Sequence, residues 1–430
     1  MLVFKNFRIV DEAADFSGSL VIENGIIKNI FRGAAEFSDA DIVIDGGKFP
    51  PSAALMPAFI DLHAHFRDPG FPEKENSLPS EVLESASLAA AAGGFTTAVC
   101  MANTKPVTDT LEQAVAVKSR ADALGLIDLY PVISLTKNMD GRELSGIKDI
   151  RGENKILRLP LMLSEDGKDI ADEGLFLAAM KEAKRLGIPV SCHCDFSGPQ
   201  NAEKARGGRT EWSRSDENFA TRRAIELGKK AGCHIHIAHV STKEAAEIIL
   251  SEKNNLSAGF TLTCEATPHH IGATEEDARR MGDESYGRVN PPLRAEADRL
   301  ALIAALNDGT IDAIATDHAP HSEADKAAGS PGFTGLETAF AACHSHLADI
   351  GLRRLSALMS ANPARILGLH DRGRIAEGLR ADLVIVDTEA TWKVAPDKFK
   401  SRGKCSPFAG KELRGKVVAI HPFLSAQSGF

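Results

Sequence analysis

Residues 59–69, FIDLHAHFRDP, place two histidines one residue apart and an arginine two further on. In an extended segment residues i, i+2 and i+4 share a face, so His63, His65 and Arg67 point together wherever strand geometry holds. Such a trio can hold a cation beside an anion. The fold depends on whether the strand that carries it recurs. Apolar β-type runs follow one another along the middle of the chain: LMPAFIDLHAH, FTTAVCMAN, YPVISLT, ILRLPLMLSED, IPVSCHC, CHIHIAHV, SAGFTLTCEA and IDAIATDHA. Between most of them lie Ala-rich stretches with helical spacing, such as SEVLESASLAAAA, LEQAVAVKSRADAL, DEGLFLAAMKEAKRLG, FATRRAIELGKKAG, TKEAAEIILSEK and EADRLALIAALNDG. Eight strand-helix units over roughly 260 residues predict an α/β fold, a (β/α)8 TIM-like barrel, with a doubly wound open sheet as the alternative arrangement.

The ends of the chain read differently. LVFKNFRIV, SLVIENGIIKNIF and ADIVIDGG are short and separated by Gly, Asn and Asp turns, and RIAEGLRADLVIVDTE and KELRGKVVAIHPF behave alike near the other terminus. The expected organisation is a small β-sandwich domain from residues 1–54 plus 373–430 and a barrel domain over 55–372.

Composition narrows the function classes. Of the 430 residues 43% are hydrophobic and 25% charged, which suits a large packed core and excludes a disordered chain. A net charge of -9 argues against a general nucleic-acid binder. No stretch reaches the roughly 18 apolar residues of a membrane helix, and the N-terminus lacks the pattern of a signal peptide. The seven cysteines have no framework spacing and read as reduced thiols of a cytoplasmic protein.

The polar residues fall at one end of the predicted strands. His63 and His65 end the first, Asn103 follows the second, Glu165 and Asp166 close the fourth, His193 the fifth, His239 the sixth and Asp317 the eighth. In barrel enzymes this C-terminal face carries the active site. One such residue alone is more often a cap or a structural polar group, but independent strands delivering His or Asp to the same end point to a metal. Mixed imidazole and carboxylate donors suit zinc better than Mg or Ca. Four histidines and two aspartates exceed what one catalytic zinc needs, so two metals share them more naturally, at the roughly 3.5 to 4 Å spacing of binuclear hydrolases. Cys192 and Cys194 flank His193, but alternation puts them on the opposite face, as packing residues.

In order along the chain, FIDLHAHFRDPG, MANTKP, HVST, TCEATPHH, VNPPLR, ATDHAPH, GFTGLET, NPARILGL and SPFAGKELRGKV together resemble the dihydroorotases of the bacterial class I type, within the amidohydrolase superfamily. The resemblance covers nearly the whole chain. It implies a zinc-dependent cyclic amidohydrolase of pyrimidine biosynthesis that interconverts dihydroorotate and N-carbamoyl-L-aspartate. His63 and His65 would bind one zinc, His193 and His239 the second, with Asp166 and a hydroxide bridging them. Asp317 would complete the first site and act as general base and acid. Substrate-binding positions would be His65, Arg67, Asn103, Asn290, His321, Gly332 and Phe333. Of these Arg67, Asn103 and His321 would grip the carboxylate, and the Gly332–Phe333 backbone would meet the ring. Many members of the superfamily use a carboxylated lysine as the bridge, and ILRLPLMLSED has none. Asp166 is preferred, with Glu165 and then Lys168 as alternatives.

Dihydropyrimidinase (hydantoinase), allantoinase and an inactive scaffold subunit are the rival readings. A small molecule is the expected partner, without nucleic acid or membrane; a homodimer is compatible with the sequence. His269 and His270 read as orienting or structural histidines, and residues 322–335 as a flap over the ring.

Overall fold

The computed structural model describes residues 1–37, 40–69, 80–150, 159–195, 213–255, 258–282 and 285–421. The first three residues of the predicted fourth strand, and the last nine of the chain, lie outside them. Five strands precede the first barrel element: β1 (Leu2–Val10), β2 (Asp15–Glu23), β3 (Ile26–Arg32), β4 (Ile42–Asp45) and β5 (Ala53–Pro57). Eight follow in the middle of the chain: β6 (Phe59–Ala64), β7 (Phe95–Cys100), β8 (Asp128–Pro131), β9 (Leu163–Ser164), β10 (Val190–Cys192), β11 (His234–Ile237), β12 (Thr261–Ala266) and β13 (Ala313–Ile314). β14 (Leu383–Lys393) and β15 (Glu412–His421) come last.

Both termini build one seven-stranded sheet, in the order β15-β14-β5-β1-β2-β3, with β4 also paired to β1. Its sequence logic is local. In the β2–β3 hairpin Asn24 and Gly25 both take positive φ, 51° and 74°, which is the turn that Asn-Gly favours because it matches strand twist. In β1 the alternation of LVFKNFRIV breaks at Asn6, whose φ is 60°, and the β1–β2 register shifts between Phe4 and Phe7. Phe4, Phe7, Ile9, Leu20, Leu55 and Leu383 are buried together beneath this sheet.

The middle strands form the (β/α)8 barrel. β6, β7 and β8 are parallel neighbours, as are β9 through β13. Parallel bridges between Ile133 and Leu163 and between Ala64 and His318 join the two sets into a closed ring. At the second seam the His65 amide donates to the His318 carbonyl at 2.7 Å. Asp61 reinforces it, accepting from the amides of His63 and Thr316. Helices at 83–92, 111–124, 173–186, 214–231, 243–253 and 296–308 cover the outside. Thr110, Asp172, Ser213 and Thr242 each cap one of them by accepting an amide of the first turn. No helix among the described residues is long and apolar enough to cross a membrane.

The structure corrects the reading of LMPAFIDLHAH as one strand. β5 pairs with β1 and β14 in the terminal sheet, and β6 starts two residues later inside the barrel. Ala58, between them, donates its amide to Asp382. Nor does extended geometry last through Arg67: β6 ends at Ala64 and Arg67 has φ 54°.

Candidate metal centre and active site

At the C-terminal ends of the barrel strands lies a cleft of about 210 Å³. His65, Arg67, Asn103, Asp166, His193, His239, Asn290, Asp317, His321 and Gly332 all line it, so ten of the positions picked from the sequence meet in one place. His63 lies beneath, fully buried. Arg67, His239 and Asp317 all have positive φ, at 54°, 33° and 43°. Non-glycine residues pay for that conformation, and such strain concentrates where side chains must be aimed.

Asp166 is the hub. Its Oδ1 lies 3.2 Å from His63 Nε2 and 3.0 Å from His193 Nδ1, and its Oδ2 3.3 Å from His65 Nε2. His239 Nε2 is 3.6 Å from the same Oδ1 and 3.1 Å from His193 Nδ1. Asp317 Oδ1 stands 3.1 Å from His65 Nε2 and 3.5 Å from His63 Nε2. Two groups of donors could therefore each hold an ion, one from His63, His65 and Asp317 and one from His63, Asp166 and His239. His193 closes on the second through Asp166 and His239. His63 Nε2 is buried, aimed at both carboxylates, and has no hydrogen-bond partner among the described residues. Burial opposes charge on His63, yet Asp166 and Asp317 outweigh it and hold its pKa well above the usual value. Burial opposes charge on Asp166 too and by itself would raise its pKa, but His63 and His193 keep it far below the ordinary carboxylate range. Buried carboxylates and imidazoles facing one another, with an orphaned ring nitrogen between them, fit a divalent cation.

The neighbouring acids separate cleanly. Glu165 turns to the β8 side and accepts from the Leu135 and Thr136 amides, each at 3.0 Å, and from the Thr136 hydroxyl. Burial raises its pKa to about 7. Lys168 donates to the Met139 carbonyl at 2.7 Å. Only Asp166 of the three candidates lines the cleft. Gly167 follows it with φ 90°, and a Cβ there would sit 3.2 Å from Asn103 Nδ2.

Asn103 Oδ1 pairs with His65 Nδ1 at 2.9 Å, which leaves Nε2 of His65 facing Asp166 and Asp317. Arg67 reaches His321, with Nη2 3.4 Å from Nε2. The latter nitrogen is 2.9 Å from the Pro331 carbonyl, to which it donates, and burial together with Arg67 lowers the His321 pKa to about 3. No carboxylate among the described residues pairs with Arg67. Phe333 is not at the cleft: its ring packs edge-on to His269 at 5.5 Å, and its carbonyl accepts from the Ala319 amide. His270 bonds Thr267 and the Pro291 carbonyl, a structural placement.

Sequence reasoning missed Glu265 and His236. Glu265 Oε1 is 2.9 Å from His63 Nδ1, and its other oxygen 2.9 Å from His236 Nε2. Both side chains are fully buried inside the barrel. Burial raises the Glu265 pKa, but the hydrogen bonds from His236 and His63 win and hold it at about 2. An ionised Glu265 fixes the proton of His63 on Nδ1 and leaves Nε2 as a donor atom. The available signal was polar residues at period two, His234 and His236 in CHIHIAHV and Thr263 and Glu265 in TLTCEA, within otherwise apolar strands.

A closed barrel with histidines and aspartates gathered at its strand ends is the architecture of amidohydrolases, and the amidohydrolase family model matches residues 54–418. The chain is 40% identical over 425 residues to a dihydroorotase of Clostridium botulinum (strain Eklund 17B / Type B), covering 97% of each. It is 36% identical to a dihydroorotase of Caldanaerobacter subterraneus subsp. tengcongensis, over 97% of this chain and 94% of that one. Among solved structures, L-hydantoinase from Arthrobacter aurescens superposes with a TM-score of 0.84 at 25% identity, over 98% of this chain and 94% of that one. The chain belongs to the dihydroorotase branch of the amidohydrolase family.

Proposed function

We propose that the chain catalyses the reversible opening of (S)-dihydroorotate by water to N-carbamoyl-L-aspartate, a step of pyrimidine synthesis. The observation that carries this reading is that Arg67, without a carboxylate partner among the described residues, shares a cleft with the His/Asp cluster. A cyclic amide with a carboxylate beside its reacting bond needs both. Full-length likeness to dihydroorotases supports it.

In this reading His63, His65 and Asp317 would hold one zinc ion and His193 and His239 a second, with Asp166 placed to serve both. When bound, the metal pair supplies a Lewis acid for the amide carbonyl and lowers the pKa of the attacking water to about 7. Asp317 takes the proton of that water and returns it to the departing ring nitrogen. Arg67 grips the substrate carboxylate in a planar, two-bonded fork, which lysine cannot imitate. Asn103 and His321 flank that grip, and His65, Asn290 and the main chain at Gly332 bound the ring. The seven buried free thiols suit a reducing compartment, the cytoplasm.

The solved neighbours include hydantoinases. Two features argue against that substrate here: Lys168 is committed to the Met139 carbonyl, and no lysine among the described residues lines the cleft; and Arg67 has no function toward a ring without a carboxylate. A scaffold subunit would have lost ligands, whereas two groups of donors that could each hold an ion are present here. Assays of dihydroorotate, hydantoin and allantoin side by side should give turnover of dihydroorotate alone or by far the fastest. A faster rate on hydantoin or allantoin would overturn the reading. Treatment with a chelator should abolish the rate, and zinc should restore it.

Glu265→Gln should weaken zinc binding by about 10- to 100-fold, measured by competition with a chromophoric chelator, because an amide no longer specifies the His63 proton. Unchanged zinc affinity in a folded variant would remove Glu265 from that role.

A further inference from the structure

Residues 322–335, expected as a flap, form a short helix at Glu323–Ala327 followed by a bonded turn. Lys326 in that helix is almost completely buried. Its Nζ donates to the carbonyls of Arg288 at 2.8 Å, Ser330 at 3.0 Å and Gly332 at 3.1 Å. An ammonium has three N–H groups, and each here meets a main-chain oxygen. No carboxylate among the described residues forms an ion pair with it, and the Phe333 ring lies 5.4 Å away. Burial accordingly pushes its pKa below the usual lysine value. Methionine, with similar length and no desolvation cost, would serve packing alone at least as well. The position of the three acceptors shows what the ammonium adds. Ser330 and Gly332 flank Pro331, whose carbonyl accepts a hydrogen bond from His321 Nε2; Arg288 lies two residues before Asn290. The Gly332 amide also donates to Arg288, at 3.0 Å. Asn290, His321, Pro331 and Gly332 make one wall of the cleft.

We propose that Lys326 is a positioning residue for the substrate, its ammonium clamping the Arg288–Asn290 and Ser330–Gly332 segments into a preformed wall against which the cyclic amide binds. This rests on the dihydroorotase reading and adds to it a wall that is set before the substrate arrives. Preorganised contacts of this kind lower the ordering cost of binding, so their loss appears in KM. The hydrogen bonds of the Lys326 ammonium go to main-chain carbonyls and to none of the metal donors.

The test compares zinc-loaded wild type with Lys326→Met in dihydroorotate turnover and zinc content. KM should rise about 10-fold or more, with kcat within about 3-fold of wild type and zinc content unchanged. An unchanged KM overturns the proposal, and so does a parallel loss of kcat and zinc, which marks a purely structural lysine. Hydrogen exchange on ligand-free wild type decides the matter even if the variant fails to fold. Slow exchange of the amides of Gly329, Ser330 and Gly332 supports the clamp; fast exchange that slows only with dihydroorotate present means a mobile flap and overturns it. Wild type that does not turn over dihydroorotate refutes the functional reading instead, which keeps the two failures apart.

Discussion

Asp317→Asn should lower kcat for dihydroorotate by about 10³-fold, roughly 4 kcal/mol in barrier, in a protein that still folds. The carboxylate is buried at the mouth of β13 and its Oδ1 is 3.1 Å from His65 Nε2. Burial raises its pKa, but His63 and His65 outweigh that and keep it ionised far below neutrality. An ionised carboxylate can receive the proton of the attacking water; a carboxamide cannot. Asparagine has nearly the same shape and tolerates positive φ, so the backbone at φ 43° is preserved. Zinc content measured on the same sample separates two consequences. A folded variant that keeps its zinc and has lost the rate identifies Asp317 as the proton carrier. A variant with wild-type rate removes it from the chemistry.

The second large effect concerns specificity. Arg67→Met should reduce kcat/KM for dihydroorotate by about 10² to 10³, or roughly 3 to 4 kcal/mol, the scale of two charge-assisted hydrogen bonds made in a half-buried cleft. Methionine keeps much of the arginine's apolar stem and pays the same cost for φ 54°, so a change in folding is not the expected result. Zinc content should stay at the wild-type level, because Arg67 contacts His321 and not the donor cluster. Any slow hydrolysis of an uncharged ring such as hydantoin should fall far less than that of dihydroorotate, which isolates the carboxylate grip from general damage. Equal losses on both rings would assign Arg67 to the architecture of the cleft instead.

The legible parts of this chain were those whose signal is local. Helix spacing placed 111–124 and 296–308 within a residue of where they lie, and the first, second, fourth, fifth, sixth and eighth barrel strands end near the polar residues that marked them. What could not be read depends on partners far away in sequence. LMPAFIDLHAH breaks in two because Ala58 finds Asp382, more than 300 residues on. Glu165 and Asp166 are adjacent acids with opposite surroundings, and the choice between them rests on Thr136 and Leu135 occupying Glu165. Glu265 and His236 meet only because β11 and β12 pair in a register that places both inside the barrel. Lys326 looks like a surface residue in a turn-rich segment, and its burial depends on where the Arg288 carbonyl lies.

The proposed reaction depends on one physical arrangement: imidazoles and carboxylates from separate strands jointly hold metal that it requires. Elemental analysis of the purified chain, run beside dihydroorotate turnover during stepwise return of zinc to chelator-treated protein, tests it most directly. Activity should return in step with bound zinc and reach its limit at about two per chain, the number a shared carboxylate bridge allows, and Asp166→Ala should bind less and stay inactive. Full turnover by protein stripped of metal, or zinc uptake and activity unaffected by Asp166→Ala, would contradict it.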